Sequence, residues 1–387
     1  MSSALAAFVA LMSLAMACVY WQEVKFQQSQ TAVEEENHRA ARESAYIGIA
    51  TSLASAALRV FFILFGIQTV LNQSSVGSAT ALVPAIVLAV LVSGGVFLIE
   101  RTGRAYQTFV IDSRLHLNNT AAATFLADTA KALLVSALFA LPLVAGWVWF
   151  METGSSLWWV AAWALWLAIL SARMALKPHL ETLLFARARD LPAGELRKRL
   201  AALLARCGVK ARSLRVVEAS KRTNRLNASV TGLGAHKHIL LFDTLVQRLG
   251  VAEVEAVLAH EAGHVQHGHL TKAWAGLALL GLAAAYTISE AVRALGLRPA
   301  ETVGLTLAVY PSAFFCLRPL FVRISRFFEF EADAFAAKMC GVEPISAALR
   351  AIFNANRGVF EHHWSYAAVF CGHPSGRERL LRLEGMN

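Results

Sequence analysis

The chain has 387 residues, of which 57% are hydrophobic and 16% charged, and its mean hydropathy of +0.51 excludes an ordinary soluble enzyme and indicates several membrane spans. The formal charge of +10 would suit nucleic-acid binding. However, the basic residues fall between apolar segments, so we expect a lipid bilayer and no nucleic acid as partner. The five cysteines are scattered without a CxxC pair, which excludes a disulfide framework and a thiolate metal site.

Seven apolar segments have the length and composition of membrane-spanning helices. They lie at about 4–21, 46–71, 81–99, 132–151, 157–176, 273–295 and 302–324. The first segment could instead be a cleaved signal peptide, but no lysine or arginine precedes its apolar run, as such a peptide requires. The sequence therefore predicts a mainly α-helical, polytopic membrane protein with seven transmembrane helices.

The composition changes to that of soluble protein between the fifth and sixth spans. Residues 195–207 are predicted to form an amphipathic helix. Short strands are predicted at 214–217, 227–231 and 239–242, with a turn at Gly232–Gly234 between the last two. We therefore expect a small β-sheet in an α+β unit on one side of the membrane.

A potential metal site occupies residues 257–269, VLAHEAGHVQHGH. On a helix His260 and His264 lie one turn apart on the same face, so both imidazoles can bind one zinc ion. Glu261 lies beside them, where it can deprotonate a water whose pKa zinc lowers to about 7. The alternative is a polar surface helix, but the apolar Val254, Val257 and Leu258 indicate a buried face.

A catalytic zinc usually takes three protein ligands and keeps one open position. His267 and His269 are rival ligands, although we favour supporting or interfacial roles for them. The segment SRFFEFEAD at 325–333 offers a better donor. Glu329 and Asp333 share a helix face, so Glu329 is expected to bind the metal and Asp333 to accept a hydrogen bond from a ligand histidine.

These observations divide the chain into four parts. Residues 1–176 hold the first five spans, 177–271 the sheet and the HExxH helix, 272–324 the last two spans, and 325–387 the segment that completes the site.

Lysine and arginine are unevenly distributed among the connections. The first, third and fifth connections and the C-terminal tail are basic, whereas the second and fourth carry neither residue. The positive-inside rule then places the N-terminus outside and both the metal motif and the C-terminus in the cytoplasm. Arg59 falls inside the second span and should face a wet or paired interior. Glu290 and Arg293 could do the same or could mark the end of the sixth span.

Several further segments match motifs of one membrane protease family. They are YQTFVID at 106–112, NNT at 118–120, LPAGEL at 191–196, SKRT at 220–223, LFDTL at 241–245 and HPSGRER at 373–379. Together with HExxH, they make the chain resemble the type I CAAX prenyl proteases, which are integral-membrane zinc metalloproteases of the gluzincin kind. The resemblance implies a ring of seven helices around a water-filled chamber, one zinc ion per chain, and a peptide or protein substrate that can be lipidated.

The resemblance also implies a role for each matching position. His260, His264 and Glu329 would be the zinc ligands, and Glu261 the general base. On these grounds we expect an endopeptidase that acts at the cytoplasmic membrane face.

Four positions further along the chain receive supporting roles from the same resemblance. Asn227 and Ala228 would lie on an edge strand where the substrate backbone adds as a further strand. His373 would stabilise the oxyanion, although on its own it could be a loop histidine before a proline. Arg379 would pair with a buried carboxylate. Ser375 stands where the family has a second proline.

Two other functions remain compatible with the sequence. One is a quality-control protease for damaged membrane proteins, resembling the heat-shock-induced bacterial enzymes, which have fewer spans. The other is a zinc-stabilised membrane scaffold without turnover, which would not need Glu261. The alanine- and leucine-rich composition favours a bacterial inner-membrane protein.

Overall fold

The computed structural model describes residues 1–30, 35–74, 81–180, 183–184, 187–210, 213–231 and 237–386. Its helices are α1 (Ser2–Ser29), α2 (Glu35–Phe61), α3 (Ile67–Ser74), α4 (Leu82–Tyr106), α5 (Ala122–Glu152), α6 (Trp158–Leu180), α7 (Glu195–Arg206), α8 (Asp243–Arg248), α9 (Val251–Gln266), α10 (His269–Leu295), α11 (Pro299–Cys340), α12 (Val342–Ala355), α13 (Trp364–Phe370) and α14 (Gly376–Glu384). Its strands are β1 (Ala188–Asp190), β2 (Ser213–Val217), β3 (Ala228–Thr231) and β4 (His238–Phe242).

Among the described residues, seven helical segments are long and apolar enough to cross a membrane, so the predicted number of spans is confirmed. Two of them contain a π-helical turn, at Phe62–Gly66 between α2 and α3 and at Gln107–Asp112 after α4. Several segments are longer than predicted because polar flanking residues continue the helix beyond the apolar run. Only 6–28% of the residues in the apolar windows are buried, as expected for helices whose outer surfaces contact lipid.

Charged residues within the spans occupy two kinds of surroundings. Arg59 is 7% exposed, and its Nε donates a hydrogen bond to the backbone oxygen of Ser55 at 3.1 Å. Glu290 and Arg293 form an ion pair near the end of α10, and both side chains are exposed. The pair therefore marks the end of the sixth span, whereas Arg59 is enclosed by helix packing.

The four strands form one sheet in the order β1-β2-β4-β3. β2 and β4 are parallel, and the two outer pairings are antiparallel. β1 was not predicted, because it has three residues and no apolar alternation. The predicted turn at Gly232–Gly234 lies outside the described residues. β3 is an edge strand, so one side of its backbone is not used within the sheet.

A shared apolar core holds the sheet against α9. Its fully buried side chains come from α7, β4, α8, α9 and α12 and include Leu200, Leu241, Leu245, Leu258 and Ile345. Burying each such side chain contributes roughly 1.5–3 kcal/mol. This core fixes the HExxH helix relative to the edge strand.

Two features of the helices decide how the metal motif is placed. α11 continues without interruption from the last span into the soluble part and contacts α1, α4 and α9. α9 and α10 are separated at Gly268, whose φ of +65° and ψ of +30° lie in the left-handed region, which glycine adopts without steric cost. The chain direction therefore changes directly after the motif.

Candidate active site

α9 turns both motif histidines towards α11. The helix begins after Gly250, whose N–H donates to Glu253 Oε2 at 2.7 Å and so satisfies one end of the helix. Buried Val254, Val257 and Leu258 anchor its inner face. Because the histidines follow at helical spacing, their rings also lie on the protected side.

Three potential ligand atoms converge where α9 packs against α11. One ring nitrogen each of His260 and His264 and a carboxylate oxygen of Glu329 lie within 4.8 Å of one another. The two Nε2 atoms are 3.2 Å apart. Glu329 Oε2 is 3.6 Å from His260 Nε2, and Glu329 Oε1 is 3.4 Å from His264 Nε2. The structure thus brings together all three predicted ligands.

The close approach of the two helices depends on Gly263. A Cβ atom at this position would lie 3.0 Å from the Cα atom of Ala332 on α11. Such a distance is shorter than ordinary carbon contacts, which lie at about 3.5–4.0 Å. A larger residue here would therefore separate the histidines from Glu329.

The donor set fits a metal ion. Two imidazoles and one carboxylate are typical ligands of a catalytic zinc site. Glu329 is 4% exposed, and within the described part of the chain its Oε2 has no well-formed hydrogen bond, although His373 Nδ1 lies 2.8 Å away. A buried carboxylate oxygen without a well-formed hydrogen bond is costly, and a cation held between the three side chains would neutralise its charge.

His260 is held from behind by a buried ion pair. Its Nδ1 lies 2.9 Å from Asp333 Oδ1. Arg379 donates to both oxygens of Asp333, from Nε at 2.8 Å and from Nη2 at 2.6 Å. Burial lowers the pKa of His260, but the hydrogen bonds with Asp333 and Glu329 outweigh it and raise that pKa to about 9. The surroundings therefore favour positive charge at this ring, whether from a proton or from a bound cation.

α14 sets the position of Arg379. The Ser375 N–H donates to Glu378 Oε2 at 2.9 Å, and the Glu378 N–H donates to Ser375 Oγ at 3.2 Å. This reciprocal capping box fixes the first turn of α14. The serine at the position of the family's second proline therefore has a structural purpose of its own.

Glu261 lies beside the ligand pair and against the edge strand. Its carboxylate accepts a hydrogen bond from the backbone N–H of Val230 in β3. Burial raises the pKa of Glu261, while His260 and His264 act in the opposite direction. A carboxylate with a raised pKa accepts a proton more readily than an ordinary glutamate. The geometry therefore suits the predicted base.

The outer side of β3 faces Glu261 and the ligand histidines. The Phe242 N–H donates to the backbone oxygen of Asn227 at 3.0 Å, so Asn227 directs its carbonyl towards β4. Because this direction alternates along an antiparallel strand, Ala228 and Val230 direct their N–H and C=O groups outwards. The free edge of β3 therefore extends from Ala228 to Val230, whose N–H binds Glu261.

His373 lies on the exposed side of the three potential ligands. It belongs to the loop between α13 and α14, and its side chain is 74% exposed. Its Nδ1 is 2.8 Å from Glu329 Oε2. An exposed imidazole at this distance from a ligand can reach a substrate that lies over the metal centre.

The two further histidines of the motif are not part of the donor cluster. His269 Nδ1 lies 2.8 Å from His264 Nδ1, and its Nε2 lies 3.1 Å from Glu331 Oε2. The ring of His267 stacks on that of His269 with centroids 5.6 Å apart. The contact between His269 and Glu331 was not predicted from the sequence, because helical spacing does not show that the helix is interrupted at Gly268.

The protein combines a bundle of membrane-spanning helices with a small sheet and an HExxH helix. The last span supplies a carboxylate beside the two histidines of that helix. Together these features define a polytopic membrane metalloendopeptidase. The chain belongs to Peptidase family M48, whose family model matches residues 190–387. A second model, described as CAAX prenyl protease N-terminal, five membrane helices, matches residues 23–186. The predicted family, fold class and reaction class are thereby confirmed.

Relatives that extend over most of the chain support the same assignment. CAAX prenyl protease 1 homolog of Arabidopsis thaliana is 29% identical over 291 residues, covering 72% of this chain and 68% of the relative. CAAX prenyl protease 1 homolog of Homo sapiens is 26% identical over 334 residues, covering 73% and 69%. The crystal structure of S. mikatae Ste24p matches 98% of each chain with a TM-score of 0.85 at 20% identity, which shows that the fold is shared.

Proposed function

We propose that this protein is a zinc endopeptidase with one zinc ion held by His260, His264 and Glu329. The convergence of these three donors within 4.8 Å carries the proposal. The placement of Glu261 beside them distinguishes a hydrolase from a zinc-stabilised scaffold, because a structural zinc site needs no base.

The protein side chains would divide the work of peptide hydrolysis. Zinc, when bound, supplies Lewis acidity that polarises the scissile carbonyl and lowers the pKa of water. Glu261 accepts a proton from the attacking water while the oxygen of that water forms a bond to the carbonyl carbon. It then passes this proton to the leaving amine as the C–N bond breaks. His373 donates a hydrogen bond to the oxygen on which negative charge develops.

The substrate backbone would bind along the outer side of β3. An extended peptide can pair with outward-facing N–H and C=O groups as an additional strand. Ala228 offers both groups, and the exposed Asn227 side chain borders the same edge. This pairing would carry the scissile bond to Glu261.

We place this reaction at the cytoplasmic face of a membrane, in the bacterial inner membrane. The basic odd-numbered connections and C-terminal tail favour that orientation. The names of the curated relatives favour prenylated substrates. A membrane-embedded enzyme also meets a lipidated peptide at the surface where its lipid is inserted.

The proposal is tested with purified full-length protein in detergent, using one peptide in farnesylated and unmodified forms. Glu261→Gln should keep its zinc content but lower kcat by about 10²–10⁴-fold, since this variant lacks the base. The matched control is Glu255→Gln on the same helix, where Glu255 forms a surface ion pair with Arg199. This control should retain cleavage.

Each result has a defined meaning. Normal cleavage by Glu261→Gln would contradict the mechanism. Wild-type protein that binds zinc but cleaves neither peptide, nor unfolded membrane proteins, would support the scaffold. We expect a higher kcat/KM for the farnesylated peptide; equal values for both forms would support the quality-control alternative.

A further inference from the structure

The ligand histidine His264 has a supporting pair of its own, separate from the one behind His260. We propose that His269 and Glu331 are positioning residues that fix the tautomer and the ring orientation of His264 for metal binding. This inference rests on the proposed function, since it concerns the same metal centre.

The hydrogen-bonding geometry permits only one arrangement of protons once His264 binds a metal through Nε2. His264 Nδ1 must then carry a hydrogen, and it donates that hydrogen to His269 Nδ1 at 2.8 Å. His269 consequently carries its own hydrogen on Nε2, which it donates to Glu331 Oε2 at 3.1 Å. His264 Nδ1 and both ring nitrogens of His269 then have partners, and a neutral imidazole lies between the ligand histidine and the carboxylate.

Packing fixes the ring plane of His269. Its side chain is 5% exposed, and its ring stacks on Phe328 with centroids 4.2 Å apart and planes 7° from parallel. A ring held by stacking presents its Nδ1 in one direction, so His264 receives its acceptor in one orientation.

The interruption of the helix at Gly268, between α9 and α10, makes the contact between His264 and His269 possible. On an uninterrupted helix a residue five positions after His264 would lie about 140° around the axis, away from the metal side. The left-handed conformation of Gly268 ends α9 and starts α10 in a new direction. His269, as the first residue of α10, is thereby turned back towards the His264 ring.

The two supporting pairs differ in charge at the contact with the ligand. His260 meets the carboxylate of Asp333 directly, whereas His264 meets a neutral imidazole that is itself polarised by Glu331. Partners of this kind raise ligand basicity and hold the ring, and their loss typically lowers metal affinity 10–100-fold. We expect that effect for His269 although it touches neither metal nor substrate.

The test measures zinc affinity by chelator competition and the visible spectrum of the cobalt-substituted protein. His269→Leu should bind zinc 10–100-fold more weakly and change the cobalt spectrum. His269→Asn keeps an acceptor oxygen near the position of Nδ1 and should restore most of the affinity. His267→Leu is the matched control, because it removes a neighbouring histidine ring but keeps the hydrogen bonds from His264 through His269 to Glu331 and the closer stack on Phe328, and it should bind zinc as the wild type does.

The outcomes separate this inference from the proposed function. Wild-type affinity in His269→Leu, or an equal loss in His267→Leu, would overturn the positioning role while leaving the zinc protease intact. Zinc binding that depends on His269 in a protein without peptidase activity would overturn the proposed function alone. If His269→Leu does not fold, Glu331→Leu on the part-exposed side of α11 carries the test, and unchanged affinity there would overturn the inference.

Discussion

At the scale of single residues, the buried Arg379–Asp333 pair is the most exacting part of the site. Arg379 and Asp333 are 9% and 2% exposed, and Arg379 holds both carboxylate oxygens. Removing one partner of such a pair leaves the other charged and buried, which typically costs about 3–5 kcal/mol. The same pair fixes the carboxylate that holds the His260 ring.

Arg379→Met should therefore lower the melting temperature in detergent strongly and weaken zinc binding, because Asp333 loses its compensating charge. Arg377→Met is the control two positions away. Arg377 is largely exposed and pairs with Glu361 at the surface, where ion pairs contribute only about 0–1 kcal/mol. Equal melting temperatures for the two variants, measured by thermal unfolding, would contradict this account.

How far single residues could be predicted depends on their distance along the chain. The HExxH motif can be recognised from the sequence because the two ligands and the base lie within about one helical turn. Glu329 could be inferred from its spacing to Asp333, whereas Arg379 came only from family resemblance. The link between His269 and Glu331 was not predictable, since it depends on a backbone turn at Gly268 that residue spacing does not encode.

At the scale of elements, the edge strand β3 is the feature on which the proposed binding of a peptide beside the metal site depends. Its inner side pairs with β4, and its outer side ends at the N–H that contacts Glu261. Proline is tolerated in edge strands where the missing N–H points away from the sheet. This makes it possible to remove one outward donor without breaking the sheet.

Ala228→Pro should raise KM and lower kcat/KM at least 10-fold with zinc content unchanged, because a substrate strand loses one hydrogen bond and meets the proline ring. Ala228→Val keeps the N–H and should behave more like the wild type. Peptide kinetics on both variants provide the measurement. Identical kcat/KM values for the proline variant and the wild type would show that substrates do not pair with this edge.

The strands near the site were predicted within about a residue, since β2, β3 and β4 carry apolar residues that the core buries. β1 escaped prediction because Ala188–Asp190 is short and mostly exposed. It is a strand only through its pairing with β2, a contact between distant residues. Polar segments after the first span were expected as connections but are helical, since they extend helices that the apolar segments already nucleate.

At the scale of the whole molecule, seven spans require that the two termini lie on opposite sides of the membrane. From the basic connections we propose that the metal site lies on the inner side. The proposed orientation would decide which pool of substrates the enzyme meets.

Topology can be measured with single cysteines in a chain whose five native cysteines have been replaced. Ser155→Cys, in the exposed turn between α5 and α6, should react with a membrane-impermeant maleimide in intact cells. Glu343→Cys, at a side chain that is 83% exposed on α12, should react only after permeabilisation. The reverse pattern would place the metal centre outside.

The continuity of α11 has a consequence for modularity. The 42-residue helix contains the last span and also carries Glu329 and Asp333, so bilayer anchor and chemistry share one rod. If Glu329 binds zinc as proposed, a fragment that lacks the apolar half of α11 also lacks part of the helix that positions this ligand. The proposed peptidase activity therefore depends on the same helix that anchors the protein in the membrane.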